Sequence, residues 1–182
     1  MDIILLTENK KQYIDLLLLA DEQESMIDRY LERGDMFVLN DNGVKAICVV
    51  ADETNGICEL KNIAVTSESQ RQGYGKRLIN YLVKHYAGKY TQMIVGTGDV
   101  PSSVSFYKSC GFEYSHRIEN FFTDNYDHQM FEDGVLLKDM VYLNGYSREH
   151  HYKNLLQSCS CLRCILWWLS HLYARQETLF RR

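Results

Sequence analysis

Several things are scarce in this sequence, and each scarcity narrows what the chain can be. One proline, Pro101, occurs in 182 residues. Proline-rich linkers are therefore absent, and no low-complexity segment or internal repeat is found. No apolar run approaches the ~20 residues that span a bilayer. The opening "MDIILLTENKK" has only a short apolar stretch and lacks a basic leader, so no signal peptide is expected. Positive charge is not in excess: the formal net charge is −4, which argues against a nucleic-acid binder. Six cysteines without an export signal are expected to be reduced thiols in a cytoplasm.

What is present fits an ordinary folded domain. Apolar residues make up 46% and charged residues 24%, and the length allows one domain with a substantial core. The charge is unevenly placed. Residues 1–146 carry 14 Lys/Arg against 22 Asp/Glu, a net of −8, whereas residues 147–182 carry 6 against 2, a net of +4. This break divides a body, 1–145, from a C-terminal extension, 146–182.

Periodicity and turn residues give the order of elements in the body. "DIILLT" reads as a strand, and "KKQYIDLLLLADEQ" and "ESMIDRYLERG" as two helices. "MFVLND" and "VKAICVVADE" flank Asn42-Gly43, a hairpin turn that needs positive φ. "GICELKNIAV" is a further strand. "GYGKRLINYLVKHYAGK" is a helix with Leu78, Ile79, Leu82, Val83 and Tyr86 as its apolar stripe. "TQMIVGTG" is a buried strand, and Gly96-x-Gly98 in it marks a bulge or close packing. "PSSVSFYKSCG" is a short helix with Asp99 as its expected N-cap. "FEYSHRIENFF" and "VLLKDMVYL" close the body around the loop "TDNYDHQMFEDG". A meander followed by βαβ crossovers implies a mixed α/β sheet with helices on its faces.

"SQRQGYGKRL", residues 69–78, lies between a strand and a helix start. Glycines there allow close backbone approach, and the first helical turn offers unpaired N–H groups to an anion. A lone Gly-x-Gly is also compatible with a plain tight turn. Two nucleotide motifs are excluded. The dinucleotide fingerprint needs a third glycine or alanine where Leu78 stands. A P-loop needs glycine and Ser/Thr where Gln70 and Arg77 stand.

Gln70-x-x-Gly73-x-Gly75 resembles the pyrophosphate loop of the GNAT (general N-acetyltransferase) superfamily. "ELKNIAV" upstream resembles that family's strand for the pantetheine arm, and "FYKSCGFE" downstream is similar to its Tyr-x-x-x-Gly-Phe signature. The resemblance covers most of residues 1–145. It implies a GNAT-like mixed, mostly antiparallel sheet of about six to seven strands flanked by helices, with a helical tail beyond. It implies acetyl-CoA as the cofactor and transfer of its acetyl group to an amine by direct attack in a ternary complex. On the cofactor it places Ile63, Ala64 and Val65 along the arm, and Gln70, Arg71, Gln72, Gly73, Tyr74, Gly75 and Lys76 around the diphosphate. An N–H near Val65 would polarise the thioester oxygen.

The resemblance also assigns proton work. Glu59 is the candidate base, with His116, Asp99 and a water chain as alternatives. Tyr107 is the candidate acid, since a phenol of pKa ~10 can protonate a departing thiolate of pKa ~8.5. The asparagine many relatives carry at the following helix start is replaced here by Val100-Pro101-Ser102-Ser103. The acceptor is left open between a small-molecule and a peptide amine. Aromatics and carboxylates in 121–134 would suit a cationic amine; a solvated acidic loop is the plain alternative. A non-catalytic CoA-binding module is the rival function.

In the extension, Tyr152, Leu155, Cys159, Leu162, Leu166, Leu169 and Tyr173 fall at heptad spacing. Packing on its own domain, homodimerisation, or a membrane-interface contact by Trp167-Trp168 are the readings of such a seam. No stable membrane insertion is expected. "CSCLRC" lacks the spacing of a zinc site, and no metal is expected.

Overall fold

The computed structural model describes residues 1–147, and a compact unit spans Met1–Tyr146. The heptad seam and the cysteine cluster of the extension lie outside the described residues.

The described residues form nine strands and five α-helices. They are β1 (Asp2–Leu6), α1 (Ile14–Leu17), α2 (Glu24–Ile27), β2 (Asp35–Asn40), β3 (Val44–Asp52), β4 (Ile57–Val65), α3 (Tyr74–His85), β5 (Gln92–Gly98), α4 (Pro101–Ser109), β6 (Glu113–Ile118), α5 (Phe121–Asn125), β7 (Phe131–Glu132), β8 (Val135–Leu136) and β9 (Met140–Ser147). Seven strands form one sheet in the order β1-β2-β3-β4-β5-β9-β6, and β7 and β8 pair separately as a hairpin. Pairs β1–β2, β2–β3, β3–β4 and β6–β9 are antiparallel. The β4–β5 pair is parallel, as the crossover through α3 requires. The mixed, mostly antiparallel sheet expected from the sequence is the one found.

Strands β2 and β3 are almost continuously apolar because both sheet faces are covered. On one face Phe37, Cys48, Val50 and Leu60 pack against Leu78, Ile79, Leu82 and Tyr86 of the α3 region. On the other, Met36, Val38, Ile47 and Val49 pack against Leu17, Ile27, Tyr30 and Leu31. The α3 stripe is therefore core. A third, smaller cluster joins Val100, Phe122, Met130 and Leu137. It anchors the loop after α5, so that loop is not simply solvated.

The structure departs from the sequence reading in places. The two long helices expected over 10–34 are short pieces: a 3-10 turn (Lys10–Tyr13), α1 and α2, joined by turns. The physical reason lies in Lys10, which is only 9% exposed. Its ammonium donates to the carbonyls of Leu31, Glu32 and Gly34 at 3.0, 2.9 and 2.8 Å. Three carbonyls left over by turns are thus satisfied by one cation, and a regular helix is unnecessary there. The first closing strand stops at Ile118 because Asn120 adopts φ 55°. Asn120 N–H donates to Asp139 Oδ1 at 2.9 Å, which turns the chain into α5. The N-cap of α4 is Val100 rather than Asp99; the Asp99 carboxylate is drawn away by Arg117.

Candidate active site

The register of β4 creates the site. A bulge opposite Val49/Val50 shifts β4 by one residue, with Val50 facing Leu60 and Val49 facing Asn62. Lys61 is the extra residue, and side-chain parity reverses across it. Leu60 before the bulge, and Ile63 and Val65 after it, all pack on the α3 face. Ala64 packs on the opposite face.

Pairing between β4 and β5 runs from Ile57↔Gln92 only to Leu60↔Val95. Beyond that point β4 continues to Val65 and β5 to Gly98 without a shared ladder. Which backbone groups face this opening follows from hydrogen-bond alternation. Thr66 N–H donates to Lys45 O at 2.9 Å, so Thr66, Ala64 and Asn62 turn their backbone groups to β3. The alternate residues Val65 and Ile63 turn theirs away, into the gap. A free strand edge of this kind accepts an extended, amide-bearing chain.

The glycine loop continues from that edge. Gln70 Nε2 donates to Val65 O at 3.5 Å, and Gln72 Nε2 to Glu68 O at 2.7 Å. Gly73, the N-cap of α3, has φ 85° and ψ 4° with open space where a Cβ would stand. Arg71 is also left-handed, at φ 58°. Gly75 is needed for a different reason. A Cβ there would lie 3.2 Å from Phe106 Cζ and 3.5 Å from Val65 Cγ2, so its absence lets α3 close on α4 and β4. Tyr74 turns its hydroxyl to Asp41 Oδ2 at 2.9 Å, tying the loop to the β2–β3 turn. Arg71 and Lys76 are exposed. A twelve-residue helix starts here with its first-turn N–H groups outward. Edge and loop together offer backbone groups to an extended, amide-bearing chain that carries an anionic group.

A cavity of about 320 Å³ lies beside the free edge, lined by Leu60–Ile63, Gly96–Gly98 and Tyr107 among others. Gly96 and Gly98 are close-packing positions: a Cβ would meet Met140 Sδ at 2.6 Å and Leu137 Cδ2 at 2.6 Å respectively. Tyr107 is buried against Phe106 and Phe112. Burial, reinforced by the Glu132 charge, pushes its phenol well above the usual range. The Tyr107 proton is accordingly retained at neutral pH.

Glu59 lines an adjoining cavity of about 230 Å³ that shares Asp21, Lys61, Gly96, Tyr126 and Met140 with the first. It is 8% exposed. Lys61 Nζ donates to Glu59 Oε2 at 2.5 Å and also pairs with Glu53 at 3.1 Å. Tyr142 donates its hydroxyl to Glu59 Oε1 at 3.3 Å. Burial and the neighbouring Glu59 carboxylate push the Tyr142 phenol up. Of the other base candidates, His116 stacks flat on Tyr142, with ring centroids 4.8 Å apart, and Asp99 is exposed with Arg117.

Sequence reasoning missed Asp21 and Asn62 on the larger cavity, whereas Glu132 belongs to the 121–134 carboxylates it considered for a cationic amine. Asn62 had a signal, an amide inside an otherwise apolar strand. Lys61 had one too, since period 2 places it beside Glu59. Asp21 had none: of Tyr30 and Tyr126, which donate to its two oxygens at 3.1 and 3.0 Å, the second lies 105 residues away.

Known proteins share this architecture. The acetyltransferase (GNAT) domain model matches residues 32–114. The Bacillus subtilis (strain 168) protein "uncharacterized N-acetyltransferase YvbK" is 32% identical over 139 residues, 75% of this chain and 90% of its own length. A crystal structure of a GNAT family acetyltransferase from Elizabethkingia anophelis with acetyl-CoA bound superposes with a TM-score of 0.75 at 31% identity. It is matched over 80% of this chain and 97% of its own. A Bacillus subtilis acetyltransferase in complex with CoA gives 0.72 at 32%, over 79% and 97%.

Proposed function

The chain belongs to the GNAT acetyltransferase superfamily and is an acetyl-CoA-dependent N-acetyltransferase, and on that premise we propose how its own residues do the work. Ile63 and Val65 hold the pantetheine amides through the backbone groups that face the gap. Ala64 keeps the strand in register by packing on the far face. The loop from Gln70 through Arg71, Gln72, Gly73, Tyr74 and Gly75 to Lys76 holds the diphosphate, chiefly by backbone N–H groups. Acetyl-CoA supplies, when bound, an acyl thioester for direct attack by a primary amine. Tyr107 keeps a proton on its hydroxyl for the departing sulfur. Glu59 is the proton acceptor, reached through the Tyr142 hydroxyl that donates to Oε1.

The observation that carries this reading is the end of β4–β5 pairing at Leu60/Val95, which leaves a strand edge open beside Tyr107. The acceptor is a small-molecule or peptide amine. The free Cys48, Cys58 and Cys110 support a reducing, cytoplasmic setting. The heptad spacing of the extension supports self-association through it. Among the described residues no helix is long and apolar enough to cross a membrane.

Free-thiol release from acetyl-CoA over an amine panel tests the reading. Tyr107→Phe and Glu59→Gln should each lower kcat by on the order of 10²-fold, with CoA affinity little changed. Wild-type turnover in either variant would remove that residue from the mechanism. CoA binding without transfer to any amine would instead favour a binding module.

A further inference from the structure

The larger cavity carries more negative charge than its own residues neutralise. Asp21, Glu22 and Glu132 line it, and Lys61 is its one lysine or arginine. The Lys61 ammonium is already taken up by Glu59 and Glu53. Asp21 is 8% exposed and has no ion-pair partner among the described residues; its oxygens accept from Tyr30 and Tyr126 hydroxyls. Glu132 accepts from the Ser103 hydroxyl. Asn62 supplies an independent sign. It is 3% exposed, its Nδ2 donates to Leu17 O and to the Tyr30 hydroxyl, and its buried Oδ1 has no donor. One buried acceptor, Asn62 Oδ1, thus lacks a donor, and the carboxylates of the wall outnumber its cations. Tyr126, Phe122 and Phe131 add aromatic surface, which suits a cation.

A carboxylate beside the reacting nitrogen would hold it as an ammonium and oppose attack. Asp21 is thus suited to a cation that does not react. We propose, building on the acetyltransferase reading above, that the acceptor is an amine carrying a second cationic centre and no carboxylate, and that Asp21 binds that second centre. Glu132 adds to the same field. An amino-acid-like acceptor would bring a carboxylate into a cavity whose one cation, Lys61, is already paired with Glu59 and Glu53.

Three acceptors of one chain length test this: 1,4-diaminobutane, butylamine and 4-aminobutanoate. CoA titration comes first. No CoA binding would remove the transferase reading, and this proposal with it; CoA binding without the selectivity below removes this proposal alone. The expected kcat/KM order is diamine, then butylamine, then 4-aminobutanoate, with the diamine ahead by about tenfold or more. Asp21→Asn should collapse the diamine-to-butylamine ratio toward one, chiefly through KM. Should that variant fail to fold, judged by circular dichroism and CoA affinity, Glu132→Gln carries the same expectation in weaker form. Equal use of the three amines, preference for 4-aminobutanoate, or a ratio that survives substitution overturns the proposal.

Discussion

Gly73 offers a clean perturbation, because conformation and space can be separated there. Its φ of 85° and ψ of 4° are left-handed, yet nothing lies within 4 Å of an added Cβ. Gly73→Ala therefore introduces no clash and only the left-handed penalty, roughly 1–2 kcal/mol for an L-residue. That strain falls either on folding or on CoA binding. If the free loop relaxes and must be re-formed around the diphosphate, CoA affinity falls roughly 5- to 30-fold. If α3 holds the loop rigid, the loss appears as stability, partly offset because alanine also narrows the unfolded ensemble. Gly73→Asn is the control, since asparagine visits the left-handed region readily; it should lie close to wild type. Calorimetric titration with CoA and urea unfolding of the three proteins read both terms. Alanine without effect on either measurement, or asparagine no better than alanine, would refute the reasoning.

Two further outcomes follow from buried groups. Lys10→Met removes the donor that serves three carbonyls, and roughly 1.5–3 kcal/mol of stability should be lost in urea unfolding, hydrogen bonds to a charged group having that worth. Asp21 has its carboxyl raised above the usual value, first by burial, against hydrogen bonds from Tyr126 and Tyr30 and the attraction of Arg29. The sign follows: the protonated form is favoured by folding, so this group's contribution to stability is complete below the unfolded pKa and is lost as pH rises through the folded one. Cation binding runs the other way, so KM for a diamine should rise as pH falls through the raised Asp21 pKa. That rise should vanish in Asp21→Asn; a pH–KM profile shared by both proteins would contradict it.

Much of this was legible in the sequence where the determinants are local. Asn42-Gly43, at φ 54° and 110°, makes the hairpin its dipeptide announces. The stripe Leu78, Ile79 and Leu82 is buried as its spacing requires. The cradle was legible because glycine spacing, a preceding strand and a following helix are all short-range. The region 10–34 was not. "LLLL" has no clear period, and the cation that satisfies its carbonyls sits over twenty residues from them. The bend after Ile118 depends on Asp139, and the burial of Asp21 on Tyr126, 105 residues away. The ion pair between Glu59 and Lys61 was within reach of a period-2 reading, and it recasts Glu59 as a partnered carboxylate.

The most direct measurement of the central claim is a bisubstrate initial-rate study joined to intact-mass analysis. Acetyl-CoA and a diamine are varied together, and the protein is also incubated with acetyl-CoA alone. An open strand edge with Tyr107 beside it predicts intersecting double-reciprocal lines and no acetylated protein. Parallel lines with an acetyl group trapped on the chain would contradict direct attack at this site.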